Sequence, residues 1–188
     1  KVNALETKVF NTNKFIVKKN IIENFNQLTT LKEYDLVLGD INAPNTIIMY
    51  TKFDCIYCDE FFDSTFVAFN EEFVKTGLAR FVIRYLESPK LETSPRLNLV
   101  YNSFTQGKLE DYLGINMKND ISAETVDTYY TALGVENLAD YSEQVSTNYL
   151  EAGKAAINRS PTFIINGVSF VGNRNIDFFR NKLQFDLN

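Results

Sequence analysis

The 188 residues of this chain include no histidine. That absence excludes a Ser-His-Asp or Cys-His nucleophile, an imidazole general base and a histidine metal site. What remains is chemistry carried by sulfur, carboxylates, amines or phenols. Cysteine is nearly as scarce: Cys55 and Cys58 are the only two, both in one C-x-x-C, so no structural disulfide framework staples the fold. No stretch approaches the roughly 20 apolar residues that span a bilayer. Lys and Arg form no run, and a net charge of −5 with a pI near 4.9 argues against nucleic acid or an anionic membrane surface as partner. Apolar residues at 45% and charged residues at 23% are ordinary for a soluble globular protein, and the length suits one medium domain or a core domain with a large insertion.

What is present centres on the stretch from Ile47 to Phe62. A β-branched apolar run, Ile47-Ile48-Met49-Tyr50, reads as a buried strand, and Cys55-Ile56-Tyr57-Cys58 follows where an amphipathic helix begins. The two sulfurs are therefore expected at a strand-to-helix turn. A thiolate there faces free backbone N–H groups and the positive end of the macrodipole, which lowers its pKa. The two-residue spacing lets Cys58 reach back across the first turn and resolve a mixed disulfide on Cys55.

Along the chain, Val17, Ile21, Phe25 and Leu28 recur at helical spacing and predict an amphipathic helix from Asn13 to about Thr30, laid on the domain's own core or, alternatively, on a second copy. Leu36-Val37-Leu38 reads as a short strand closed by Gly39-Asp40, and Ala43-Pro44-Asn45 turns into the strand Thr46 to Tyr50. The helix after Cys55 carries Cys58, Phe61, Phe62, Thr65, Phe66, Phe69 and Phe73 on one face and ends at Thr76-Gly77. Ala79 to Leu86 reads as a second core strand, parallel to the first through a right-handed crossover. Residues 88 to 156 are all helical in pattern: Ser94-Pro95 opens a helix toward Phe104, Ser122 caps one running to Leu133-Gly134, and 137 to 156 make a third. Pro161 to Ile165 and Val168 to Val171 then flank Asn166-Gly167, a strong hairpin signal, and a last helix spans about Asn175 to Leu183.

Taken together, the strand before the cysteine pair, Gly39 through Pro44, the helical insertion, and Ser160-Pro161-Thr162-Phe163 leading to Asn166-Gly167 resemble thioredoxin-fold proteins of the DsbA type over roughly residues 35 to 185. The resemblance implies an α/β fold: a thioredoxin-like mixed sheet from residues 31–87 and 157–188, an inserted helical subdomain over 88–156, and an N-terminal extension over 1–30. It implies a thiol-disulfide oxidoreductase in which Cys55 is the exposed attacking sulfur and Cys58 the buried resolving one. Pro161 would be a cis-proline beside the pair, a bond type with a cheap cis form. Ser160 would offer backbone groups to a substrate peptide, with Ile56 and Tyr57 on the same substrate-facing side. No cofactor is implied. The partners would be unfolded or misoxidised exported proteins and a membrane redox partner of the DsbB or DsbD kind, and the chain would act outside the cytoplasm as a monomer. Lys1 in place of Met fits either a truncation or removal of an export signal or membrane tether.

The chain also departs from that family's pattern. Met49 stands where many relatives have an acidic residue, and Ile56-Tyr57 where many have Pro or His. Asp54, Asp59 and Glu60 crowd the helix end, opposed by Lys52, so Cys55 is expected to have a pKa below that of a free thiol but above those of the most acidic relatives. The disulfide would then be less oxidising, which keeps an isomerase or reductase beside the oxidase reading. A Cu(I) site from both sulfurs with Met49 is the binding-module alternative; zinc lacks ligands here. Tyr57 is expected to shield Cys58 rather than border a groove, the phenylalanine row to be core, and Tyr129-Tyr130 and Tyr141 to belong to the insertion. Asn158-Arg159-Ser160 matches a glycosylation sequon of a kind frequent by chance.

Overall fold

A computed structural model describes residues 23–87, 95–115 and 121–183. Five strands, β1 (Leu36–Leu38), β2 (Asn45–Thr51), β3 (Ala79–Tyr85), β4 (Thr162–Ile165) and β5 (Val168–Val171), form one mixed sheet in the order β1-β3-β2-β4-β5. Only β2 and β3 are parallel; the other neighbours are antiparallel. The central strand β2 is apolar on both faces because both are covered. Ile47 and Met49 point to one core, Ile48 and Tyr50 to the other.

The larger core takes in the helix that follows β2. Its phenylalanines are buried as the spacing requires, but the single helix expected to Thr76 is broken. α1 (Ile56–Ser64) gives way at Thr65 to the short α2 (Phe66–Phe69), which loosens into a π turn over Asn70–Val74. Phe61 lies at the centre of the cluster, with ring centroids 5.0 Å from Phe163 and 6.0 Å from Phe81. The turn before β2 depends on Gly39, whose φ is +91° and where a Cβ would lie 2.8 Å from Val74 Cγ1 and 3.0 Å from the Ala79 carbonyl. Only glycine meets both conditions.

The inserted helices are α3 (Pro95–Thr105), α4 (Leu109–Gly114), α5 (Val126–Leu133) and α6 (Ser142–Lys154), and α7 (Ile176–Lys182) closes the fold. The short α4 is not expected from the sequence, although Leu109, Tyr112 and Leu113 are all buried at helical spacing. Ser122 does not cap α5; its carbonyl accepts the Val126 N–H four residues on, and α5 starts only there. Residues 137–141 are not helical either. Asn98, Asn102 and Gln106, one turn apart along α3 and its end, hydrogen-bond to the backbone of Tyr141, Leu138 and Glu136. Side chains there do what a neighbouring strand would do.

Of the helix expected from Asn13 to Thr30, residues 23–28 are helical, 29 and 30 already turn out of the helix, and 13–22 lie outside the described residues. Leu28 packs into the second core with Ile48, Val82 and Ala152. Arg84, one of two charged residues in the expected core strand, is fully buried on that face. It forms a bidentate pair with Asp35 at 2.7 Å and donates to the carbonyls of Leu28 and Thr30 and to the Tyr50 hydroxyl. All the hydrogen-bonding capacity that makes burial of a guanidinium tolerable is thus used.

Candidate active site

Cys55 is the N-cap of α1, with φ −110° and ψ 95°, and its carbonyl accepts the N–H groups of Cys58 at 2.8 Å and Asp59 at 3.0 Å. Its sulfur accepts the Cys58 N–H at 3.3 Å and is disulfide-bonded to Cys58. The positive end of the helix therefore bears on Cys55 Sγ itself. The two sulfurs differ in access. Cys55 is partly exposed while Cys58 is fully buried.

The loop before β4 completes the surroundings. The Ser160–Pro161 peptide bond is cis, and the Ser160 hydroxyl donates to Cys55 Sγ at 3.4 Å. The Pro161 carbonyl accepts the Gly172 N–H at 2.8 Å, and the Thr162 hydroxyl donates to the Arg159 carbonyl at 2.7 Å, which fixes the loop from both sides. Phe61 of α1 packs on Phe163 of β4, so the element carrying the cysteines is in direct contact with the strand after the proline.

Tyr57 is 60% exposed and Ile56 75% exposed, so Tyr57 does not shield Cys58 as expected. Residues 56 and 57 open the helix on its solvent side, whereas 58, 61 and 62 fall on its buried face. Ile56 and Tyr57 thus flank the cysteine pair as an exposed apolar couple. Met49 is fully buried and pairs with Phe163 and Ile83 across the ladder. Among the described residues, no group of three or more His, Cys, Asp or Glu side chains could hold a metal ion, and no helix is long and apolar enough to cross a membrane.

Sequence reasoning assigned Ser160 a backbone role and missed its hydroxyl contact; a serine next to the proline was the available signal. It also missed two groups that hold the loop entering Cys55. The Glu87 carboxylate accepts the Phe53 N–H at 3.0 Å, and Arg96, in the first turn of α3, lies over the Phe53 ring and pairs with Asp54. Asp54 itself has φ +54°, a left-handed conformation that aspartate adopts more readily than most side chains.

A family model described as Thioredoxin matches residues 31–184. No curated protein matches the chain. Among solved structures, alpha-DsbA1 of Wolbachia pipientis is similar with a TM-score of 0.68 and 20% identity, covering 84% of this chain and 93% of that one. The thiol-disulfide exchange protein alpha-DsbA2 of the same organism aligns with a TM-score of 0.66 at 17% identity, covering 92% and 96%. A linker-deletion mutant of Proteus mirabilis ScsC gives 0.67 at 17% identity, covering 96% and 90%. These likenesses bear on the fold: a thioredoxin-like sheet carrying inserted helices.

Proposed function

The chain belongs to the thioredoxin family, its Cys55–Cys58 pair on that fold makes it a thiol-disulfide oxidoreductase, and from this premise we propose that it oxidises the thiols of exported proteins outside the cytoplasm. Cys55 is the sulfur that exchanges and Cys58 the one that resolves. A client thiolate attacks Cys55 Sγ; the Cys55–Cys58 bond breaks, and its electron pair leaves on the Cys58 sulfur, which takes up a proton. A second client thiolate then attacks the client sulfur of the mixed disulfide and expels Cys55 as thiolate. The client departs with a new disulfide, and the pair has gained two electrons, which pass on to a redox partner in the membrane.

The observation that carries this reading is the asymmetry of the pair: an accessible sulfur at a helix N-terminus and a wholly buried one behind it. Ile56, Tyr57, Ser160 and Pro161 form the rim on which a client peptide lies, with extended backbone pairing along the Ser160–Pro161 loop. Replacing Cys55 with alanine is expected to abolish both insulin reduction and the refolding of a scrambled substrate. Unchanged rates would falsify the assignment.

The acids Asp54, Asp59 and Glu60 around Cys55 favour a second reading of the same site, in which the reduced pair attacks wrong disulfides as an isomerase or reductase. Equilibration with glutathione separates the two. A potential near roughly −120 mV marks a strong oxidase and one near −270 mV a reductase.

A further inference from the structure

Carboxylates outnumber cations around Cys55. Asp54 precedes it, Asp59 lies in the first turn of α1 with Glu60 next to it, and Glu87 reaches the same loop. Opposing them are Lys52 and Arg159, both exposed, and Arg96. The backbone N–H groups stabilise a Cys55 thiolate, and each carboxylate within a Debye length of about 8–10 Å works against it.

Arg96 differs from the other cations in how it is held. Its side chain is only 12% exposed, with Nη1 3.5 Å from Asp54 Oδ1. The guanidinium carbon lies 4.4 Å from the centre of the Phe53 ring, and that ring rests 4.6 Å from Tyr85. Its charge also acts on the buried Tyr112 hydroxyl, whose pKa burial raises to about 12 against the pull of Arg96. Phe53, Tyr85 and Tyr112 are buried, so these partners fix the cation whether or not Asp54 is ionised. Lys52, exposed on a flexible stem, has no comparable anchorage.

We propose that Arg96 is a positioning residue for the exchange reaction: it offsets the Asp54 carboxylate adjoining Cys55 and so stabilises the Cys55 thiolate. The inserted helices thereby set the redox poise of a site that has no histidine to do so. The inference rests on the oxidoreductase reading above. Charges several ångströms apart near a protein surface change an equilibrium about two- to tenfold, and a fivefold change corresponds to roughly 20 mV for a two-electron couple.

The test equilibrates the full chain with glutathione, in which the protein disulfide plus two glutathione thiols give two protein thiols plus glutathione disulfide. Thiolate absorbance is followed against pH in parallel. Arg96→Gln and Arg96→Met are each expected to raise the Cys55 pKa and shift the equilibrium about fivefold toward the protein disulfide. Arg96→Lys should stay nearer the wild type, and Asp54→Asn should move both quantities the opposite way. Either neutral Arg96 variant suffices should the other fail to fold. Wild-type values in a folded neutral variant, or an Arg96→Lys shift as large as that of Arg96→Gln, would overturn the proposal, since the first removes the charge effect and the second makes it one of packing. A wild-type protein that exchanges nothing overturns the oxidoreductase reading and this inference with it; normal wild-type exchange with unmoved variants overturns this inference alone.

Discussion

The Ser160 hydroxyl donates to Cys55 Sγ, and a hydrogen bond to a sulfur that becomes charged favours the charged form. Ser160→Ala should therefore raise the Cys55 pKa, by up to about one unit, and slow attack on a client disulfide at neutral pH. A thiolate titration of the reduced variant that overlays the wild-type curve would show that the contact has no bearing on reactivity. Arg84 makes a different kind of claim. Its guanidinium and the Asp35 carboxylate are fully buried, so removing one charge strands the other. Asp35→Ala is expected to lower stability by about 3–5 kcal/mol, read as a fall in the urea midpoint with an unchanged slope. Arg84 is also the residue that the sequence misrepresents most. Arg80 and Arg84 look alike in Ala79 to Leu86, yet Arg84 faces Tyr50 and the end of residues 23–28, and only long-range packing distinguishes them.

At the scale of elements, legibility follows how local the determining interactions are. β2, β3 and the hairpin were readable because a double-sided apolar run and Asn166-Gly167, both at positive φ, act through near neighbours. The break at Thr65 and the π turn after it were not, since the phenylalanine spacing is satisfied almost equally by a straight helix. Residues 137–141 read as helix because their partners, Asn98, Asn102 and Gln106, are some thirty or more residues away. Of the site, the cysteines and the Ser160–Pro161 loop were legible, while Arg96 and Glu87 were not, because only the fold brings α3 and the end of β3 to the loop before Cys55. Phe61 shows how an element transmits to that site. Its ring touches Phe163, Phe69 and Phe179, and so ties α1 to the strand that follows Pro161. Phe61→Ala should cost about 3–5 kcal/mol. It should also slow client exchange in protein that remains folded, because the cysteine helix loses its register against the proline loop. Exchange at the wild-type rate in such protein would separate the core from the chemistry.

At the scale of the molecule, the insertion shares its core with the sheet. Leu99, Val100, Tyr101, Leu109 and Tyr112 belong to the same buried cluster as Phe61, Phe81 and Phe163, and α6 reaches further, placing Val145 in that cluster and Ala152 in the one on the opposite face. A helical block that buries its apolar side against the sheet has no separate core with which to stand alone. Sheet and insertion should accordingly unfold together. The chain has no tryptophan, so tyrosine emission is an undisturbed reporter, and Tyr101, Tyr112, Tyr129, Tyr130, Tyr141 and Tyr149 place most of it in the insertion, whereas far-UV circular dichroism sees the whole backbone. The two signals are expected to give one coincident urea transition. A tyrosine transition that precedes the backbone one would mean that the insertion opens on its own, and Arg96 would then leave the cysteine loop before the fold is lost.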